Sequence, residues 1–306
     1  MPRPDSERMA DASHNDIIHR FLLERAGVRG AIVRLAGAWS AVRNQGTYPE
    51  PIQRFLGETL AASVLFTGHI KSGTSLSIQL RAEGPMTSLY AECSADGEVR
   101  GLARWHEPLP EVLQLGHLKA PAHLAITREQ RSGQRYQGMV PLQSATLGEA
   151  FECYFCQSEQ LPTRVRLAAD HDCSAGIVLQ HLPAEGGMAA PLDPDGWTRA
   201  NALLDTLTRE ELLELDSASV LHRLFHEERV RLFRARPLRF GCRCSQEKVE
   251  QVLRHLGRDE AAQAVQEQGQ LEVTCEFCNR QYRFDRVDLE RVFATASSPP
   301  APSTRQ

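Results

Sequence analysis

Long hydrophobic runs are missing from this 306-residue sequence. No stretch approaches the roughly 18 apolar residues that a membrane-spanning helix requires, so no membrane role is expected. The opening stretch MPRPDSERMADASHND has no apolar segment of the kind a secretory signal carries, so a cytoplasmic location is expected. A basic surplus is missing as well. The net charge is −4, whereas a dedicated nucleic-acid binder is more often basic. Catalytic signatures are equally scarce. GHIKSGTS, Gly68 to Ser75, has Thr74 where a phosphate loop needs lysine after its second glycine. G-x-S-x-G is absent, which removes a hydrolase elbow. HEERV, from His226, lacks the second histidine of H-E-x-x-H. The eleven histidines are scattered, and nothing gathers an acid, a base and a nucleophile, so no enzyme is expected.

What is present suits a globular chain: 42% hydrophobic and 24% charged residues, long enough for a core that needs no staples. The expected fold class is α+β, with a large N-terminal mixed domain, a helical connector and a small C-terminal module. Residues 1–13 and 292–306 read as disordered tails, poor in groups that build a core.

Residues 14–183 form the expected main domain. GAIVRLA, SLSIQLRAEG, AHLAITRE and RVRLAA read as strands. PEPIQRFLGETLAASVLFTGHI places Ile52, Phe55, Leu56, Leu60 and Val64 at helical spacing. TLGEAFECYFCQSEQ opens on Thr146 with Glu149 three residues on, the capping-box spacing. Ser158 to Gln160 reads as a helix end or domain contact.

Residues 184–238 form the expected connector. It begins with the loop PAEGGMAAPLDPDG and continues with TREELLEL, where Thr208 and Glu211 stand in capping-box positions. SVLHRLFHEERVRLF puts Val220, Leu221, Leu224 and Phe225 on one face. From Trp197 to Arg229 there are 7 acidic and 4 basic residues. A charged amphipathic connector needs a partner surface to stay folded. Its packing is either static, on the main domain, or conditional.

Residues 239–291 hold Cys242 and Cys244 as C-x-C and Cys275 and Cys278 as C-x-x-C. Ser245 is placed to cap a helix carrying Val249, Val252, Leu253 and Leu256, ended by Gly257. RDEAAQAVQEQG gives a second helix, and LEVTCEFCNRQYRF a β-hairpin turning at Cys275 to Cys278. So few large apolar groups cannot hold fifty residues together alone. Two thiol pairs supply the four soft donors of a tetrahedral zinc site, and no histidine stands close to either pair. A reducing cytosol also favours metal or redox chemistry over a structural disulfide framework. The thiolate is both ligand and oxidisable species, so oxidation can remove the metal. Cys275 and Cys278 are well spaced for a local disulfide; Cys242 and Cys244 can pair through a smaller, strained ring.

Two other functions compete at this point. A zinc ribbon can bind nucleic acid, but Arg239 to Val287 carries 8 basic and 8 acidic residues, without the surplus that phosphate binding asks for. A thiol–disulfide oxidoreductase would need its C-x-x-C at a helix start in a βαβ context, whereas Cys275 follows a strand into a hairpin.

Several segments together resemble the 33 kDa chaperonin family, the redox-regulated heat-shock holdases of bacteria. They are FGCRCS, VTCEFCNRQYRFDRVDL, YFCQSEQLPT (Tyr154 to Thr163), RYQGMVPL (Arg135 to Leu142) and LHRLFHEERVRLF, in the family's order over about residues 16 to 291. The resemblance implies one zinc ion held by Cys242, Cys244, Cys275 and Cys278 in a reduced, inactive form. It implies that peroxide or hypochlorous acid produces Cys242–Cys244 and Cys275–Cys278 disulfides, releases zinc, and unfolds the module and connector. The active form, commonly a homodimer, then holds unfolding client proteins without ATP. Cys93, Cys153, Cys156 and Cys173 depart from the family's pattern. Cys153 and Cys156 form a second C-x-x-C, and all four read chiefly as small buried thiols.

Overall fold

A computed structural model describes residues 16–68, 73–182 and 193–294. The expected tail at 1–13, the loop residues 184–192, the stretch 69–72 and the tail residues beyond Ala294 lie outside the described residues. The chain divides into two compact units, Met1–Gly241 and Cys242–Gln306.

The larger unit begins with strands β1 (Ile17–Leu23) and β2 (Val28–Leu35), then helices α1 (Gly37–Arg43) and α2 (Glu50–Thr67). Strands β3 (Thr74–Glu83), β4 (Met86–Cys93), β5 (Glu98–Trp105), β6 (Lys119–Gln130) and β7 (Arg135–Pro141) follow. Next come α3 (Leu147–Ser158), β8 (Thr163–Ala169) and β9 (Ser174–His181). The connector then supplies α4 (Gly196–Asp205), α5 (Arg209–Glu214), α6 (Ser217–Phe225), β10 (Val230–Leu232), β11 (Arg236–Pro237) and β12 (Arg239–Phe240). One sheet runs β10-β1-β2-β9-β8, with β11 also on β1; the other runs β12-β5-β4-β3-β6-β7.

Helix α2 lies at the centre and packs on strands of both sheets. The sequence shows one apolar face on it; the structure buries it nearly all round, including Gly57, Thr59, Ala61, Ala62 and Ser63. Small residues make this possible. A Cβ on Gly57 would stand 2.4 Å from that of Ala169. The buried hydroxyls of Thr59, Ser63 and Thr67 donate to carbonyls within the helix, so none is left unsatisfied.

The first sheet has two apolar faces, separated by the alternation of strand side chains. Ala31, Val33, Leu35 and Val178 face the α2 side. Phe21, Leu23, Val28, Ile32, Ala175, Ile177 and Leu179 face the other way, into a separate core. The connector covers that second face. Ala200, Leu204, Leu212, Leu213, Val220, Leu221, Leu224 and Phe225 all pack there, with the Phe21 and Phe225 rings 6.0 Å apart. The capping boxes expected at Thr146 and Thr208 are both formed.

The expected helical segments of the connector are present as α4 to α6 and end at Phe225. Beyond it, alternating Val230 and Leu232 suit an edge strand, and β10 and β11 pair antiparallel with β1. Arg239 and Phe240 then pair parallel with β5. The boundary therefore falls after Gly241, whose N–H donates to Val99 O at 3.1 Å, rather than at 238/239.

The smaller unit contains α7 (Gln246–Leu256), α8 (Arg258–Gln268), the hairpin β13 (Leu271–Thr274) and β14 (Gln281–Phe284), and α9 (Arg286–Ala294). Its buried apolar core is six residues: Leu253, Ala261, Val265, Phe284, Leu289 and Val292. Val292, next to the expected end at about 291, belongs to this core. Of the apolar residues that α7 carries, Leu253 is buried, whereas Val252 and Leu256 are exposed.

Candidate metal centre

Two local structures present the thiols. On one side, Cys242 and Cys244 lead directly into α7. Ser245 caps that helix by accepting from Lys248 N–H at 3.4 Å, and Lys248 Nζ returns to Arg243 O at 2.6 Å. The second bond pins the residue between the two cysteines. On the other side, the β13–β14 hairpin closes with Cys275 N–H donating to Arg280 O at 2.9 Å. Cys275 O then accepts from Cys278 N–H at 3.3 Å and Asn279 N–H at 2.8 Å. Asn279 adopts φ 54°, the left-handed region that asparagine tolerates better than most residues. The knuckle thus turns both Cys275 and Cys278 to one side.

The four Sγ atoms lie within 4.8 Å of one another. Cys242 and Cys275 sulfurs are 3.7 Å apart, and those of Cys244 and Cys278 3.4 Å. A tetrahedral thiolate site with metal–sulfur bonds of about 2.3 Å has sulfur–sulfur edges of about 3.8 Å. The donor set therefore has the spacing of a metal site, far wider than the roughly 2.05 Å of a disulfide. All four sulfurs are thiols and half-buried. Both of these short contacts link a cysteine of one motif to a cysteine of the other.

Protons leave this cluster unevenly. Burial opposes ionisation of Cys244, but the approach of the Tyr282 hydroxyl and of the other three cysteines outweighs it and brings the thiol down to about 7. Burial pushes Cys278 up to about 12 and Cys275 upward as well. Cys244 is thus a readier thiolate than Cys275 or Cys278, and a divalent cation would draw the remaining protons off.

The structure separates the other four cysteines from this centre. Among the described residues, no other group of three or more His, Cys, Asp and Glu side chains converges as closely. Cys93 and Cys173 are buried, and burial raises both thiols, Cys173 to about 11. Cys153 is half-buried and Cys156 exposed on α3, so neither is the buried thiol expected from sequence. Glu159, in the Ser158–Gln160 segment, ion-pairs with Arg128 at 2.7 Å, a contact between the end of α3 and β6.

Sequence reasoning missed the apolar sheet face beneath the connector. Its signal was SAGIVLQH, where Ala175, Ile177 and Leu179 alternate with Gly176 and Val178 in an unbroken small and apolar run. A strand with both faces apolar needs a cover on each.

These features define a class: a two-unit α+β protein whose small unit gathers four thiols at a spacing that could hold a metal ion. The sequence profile of the Hsp33 protein family matches residues 16–285. The chain is 42% identical over 293 residues to the 33 kDa chaperonin of Nitrosococcus oceani, covering 96% of this chain and 99% of that protein. It is also 42% identical over 299 residues to that of Pseudomonas fluorescens strain Pf0-1, covering 97% and 100%. The crystal structure of the 33 kDa chaperonin from Thermotoga maritima superposes with a TM-score of 0.78 at 22% identity, covering 92% of this chain and 99% of that one. This chain belongs to the Hsp33 family. Among the described residues, no helix is long and apolar enough to cross a membrane.

Proposed function

We propose that this protein is a redox-regulated, ATP-independent holdase of the cytoplasm that captures unfolding proteins after oxidation. Its relatives carry the name 33 kDa chaperonin. One observation carries the reading: the connector helices α4–α6 cover an apolar face of the first sheet, and the same connector runs without a break into Cys242. The state of the thiols and the cover of the apolar face are thus linked through one continuous chain.

Cys242, Cys244, Cys275 and Cys278 are the proposed ligands of one zinc ion. Bound zinc supplies a cross-link that ties the C-x-C segment to the hairpin, and a six-residue core alone is too small to do so. Oxidation converts the four thiols to Cys242–Cys244 and Cys275–Cys278 disulfides. As each disulfide forms, its two thiols give up two electrons and two protons, and one hydrogen peroxide takes them to become two waters. The choice of partners matters. A Cys242–Cys275 or Cys244–Cys278 bond would keep the two motifs cross-linked, whereas disulfides within each motif free them from each other.

With the module loosened, the last strands of the connector lose their anchor, and α4–α6 are held to the sheet by their own packing alone. Release would uncover Phe21, Leu23, Ile32, Ile177 and Leu179 along with the connector's own apolar side chains. That is the surface proposed to meet client proteins, with oxidised chains pairing as homodimers. The chemistry consumes its own thiols once per activation, so the protein is not proposed to be an enzyme, and its balanced module charge gives no footing for nucleic acid.

The test follows light scattering from an unfolding protein in the presence of the reduced, zinc-loaded form or the peroxide-treated form, while zinc release is measured. Suppression by the oxidised form alone, with about one zinc released per chain, is the expected result. Equal suppression by both forms would remove the switch, and none by either would remove the chaperone.

A further inference from the structure

A pocket of about 70 Å³, partly open to solvent, is formed by the larger unit alone, where α2, α3 and strands of both sheets converge. On this measure one water needs about 10–15 Å³, so the space takes several waters or one small organic molecule. Its floor is apolar: Phe66, Leu76, Ile126 and Phe155. Two arginines reach it, and they differ. Arg128 is neutralised by Glu159 at 2.7 Å and lies over the Tyr136 ring at 4.6 Å. Arg29 is half-buried, and among the described residues it forms no ion pair. Its single hydrogen bond there runs from Nε to Gln180 Oε1 at 3.0 Å.

That bond fixes the guanidinium. Gln180 is almost fully buried and donates in turn to Thr163 Oγ1 at 3.3 Å, so neither partner turns freely. The terminal nitrogens of Arg29 are left for another acceptor. Arginine keeps its charge at any working pH, and a half-buried charge without a counter-ion is costly. Arg29, Arg128 and Glu159 sum to one positive charge, which matches a monoanion and disfavours a dianion. The apolar floor asks for a hydrocarbon body beside that anion.

We propose that this cavity is a binding site for a small monocarboxylate with a short, branched apolar body, the carboxylate paired with Arg29 and the hydrocarbon seated on Phe66, Leu76, Ile126 and Phe155. A planar carboxylate suits the fork of guanidinium donors, and the small volume seats only a short hydrocarbon on the apolar floor. The site stands apart from the cysteine centre and does not depend on the redox reading.

Calorimetric titration of the reduced, zinc-loaded full chain with isovalerate tests it. The neutral isostere isovaleramide and inorganic phosphate are the comparison probes. Isovalerate should bind saturably at one site per chain. Isovaleramide, and isovalerate on Arg29→Gln, should each bind about tenfold or more weaker, the scale of one lost charge-assisted hydrogen bond. Phosphate should not compete. Leu161 also lines the cavity; Leu161→Trp, which fills it and keeps Arg29, should also lose binding and covers the case that Arg29→Gln does not fold. In the unaltered protein, isovalerate should shift the NMR signals of the Gln180 side-chain amide. Absence of saturable binding, equal affinity for isovaleramide, or binding undisturbed by Leu161→Trp overturns the proposal.

Discussion

Phe225 and Glu58 mark two different pressures at the scale of single residues. Phe225 is the last residue of α6, fully buried, with its ring against Phe21. Truncating a buried phenylalanine to alanine costs about 3–5 kcal/mol, and here the loss falls on the seam between connector and sheet. Phe225→Ala should raise protease cleavage within residues 196–240 of the reduced protein and give partial client protection before any oxidant is added. Unchanged cleavage would mean that the seam holds without Phe225. Glu58 behaves differently, because burial pushes its carboxyl up to about 7, partly offset by Arg54 and Arg209. The folded protein therefore holds a proton that an unfolded chain releases near 4.5. This contribution to stability is complete below the unfolded value and is lost as pH rises through about 7. Glu58→Gln should remove that dependence. Urea unfolding should find the variant more stable than the parent at pH 8, by up to about 3 kcal/mol, with the gap closing toward pH 5.

At the scale of elements, the connector's final strands are the part most sensitive to geometry. Gly97, in the turn between β4 and β5, has φ 83°, and a Cβ there would stand 2.7 Å from Pro237 O. Its own carbonyl accepts from Arg239 N–H at 3.0 Å. Gly97→Val combines an unfavourable backbone conformation with a clash against the connector, two residues of pairing before Gly241. Hydrogen exchange at residues 236–241 should quicken in the reduced variant while exchange in β3 and β6 stays as in the parent. Equal exchange throughout would show that these strands bear no tension from β5. The same elements mark the limit of what the sequence discloses. Capping boxes at Thr146 and Thr208, the Ser245 cap and the cysteine hairpin were legible because each depends on residues a few positions apart. Strands β10 to β12 were not, because β10 and β11 are held by β1 and β12 by β5, all far away in the chain. For α2 the spacing of Ile52, Phe55, Leu56, Leu60 and Val64 disclosed one face; the burial of its small residues depends on two sheets that no local pattern announces.

At the scale of the whole molecule, the four cysteines were legible as a set, since their spacing, the absence of nearby histidine and the small core all point to a metal-held module. What that module controls was not legible from spacing. The proposed answer rests on the continuity of the connector, which covers Phe21, Ile32, Ile177 and Leu179 and then passes Gly241 into Cys242. The central claim is that the thiol state governs the cover on that sheet face. Hydrogen exchange of the full chain, before peroxide treatment and after both disulfides have formed, tests it most directly. The account predicts that α4 to α6 and β10 to β12 lose protection together with the small unit, while β3 to β6 and α2 keep theirs. Connector amides that remain protected after zinc has left and both disulfides have formed would contradict it.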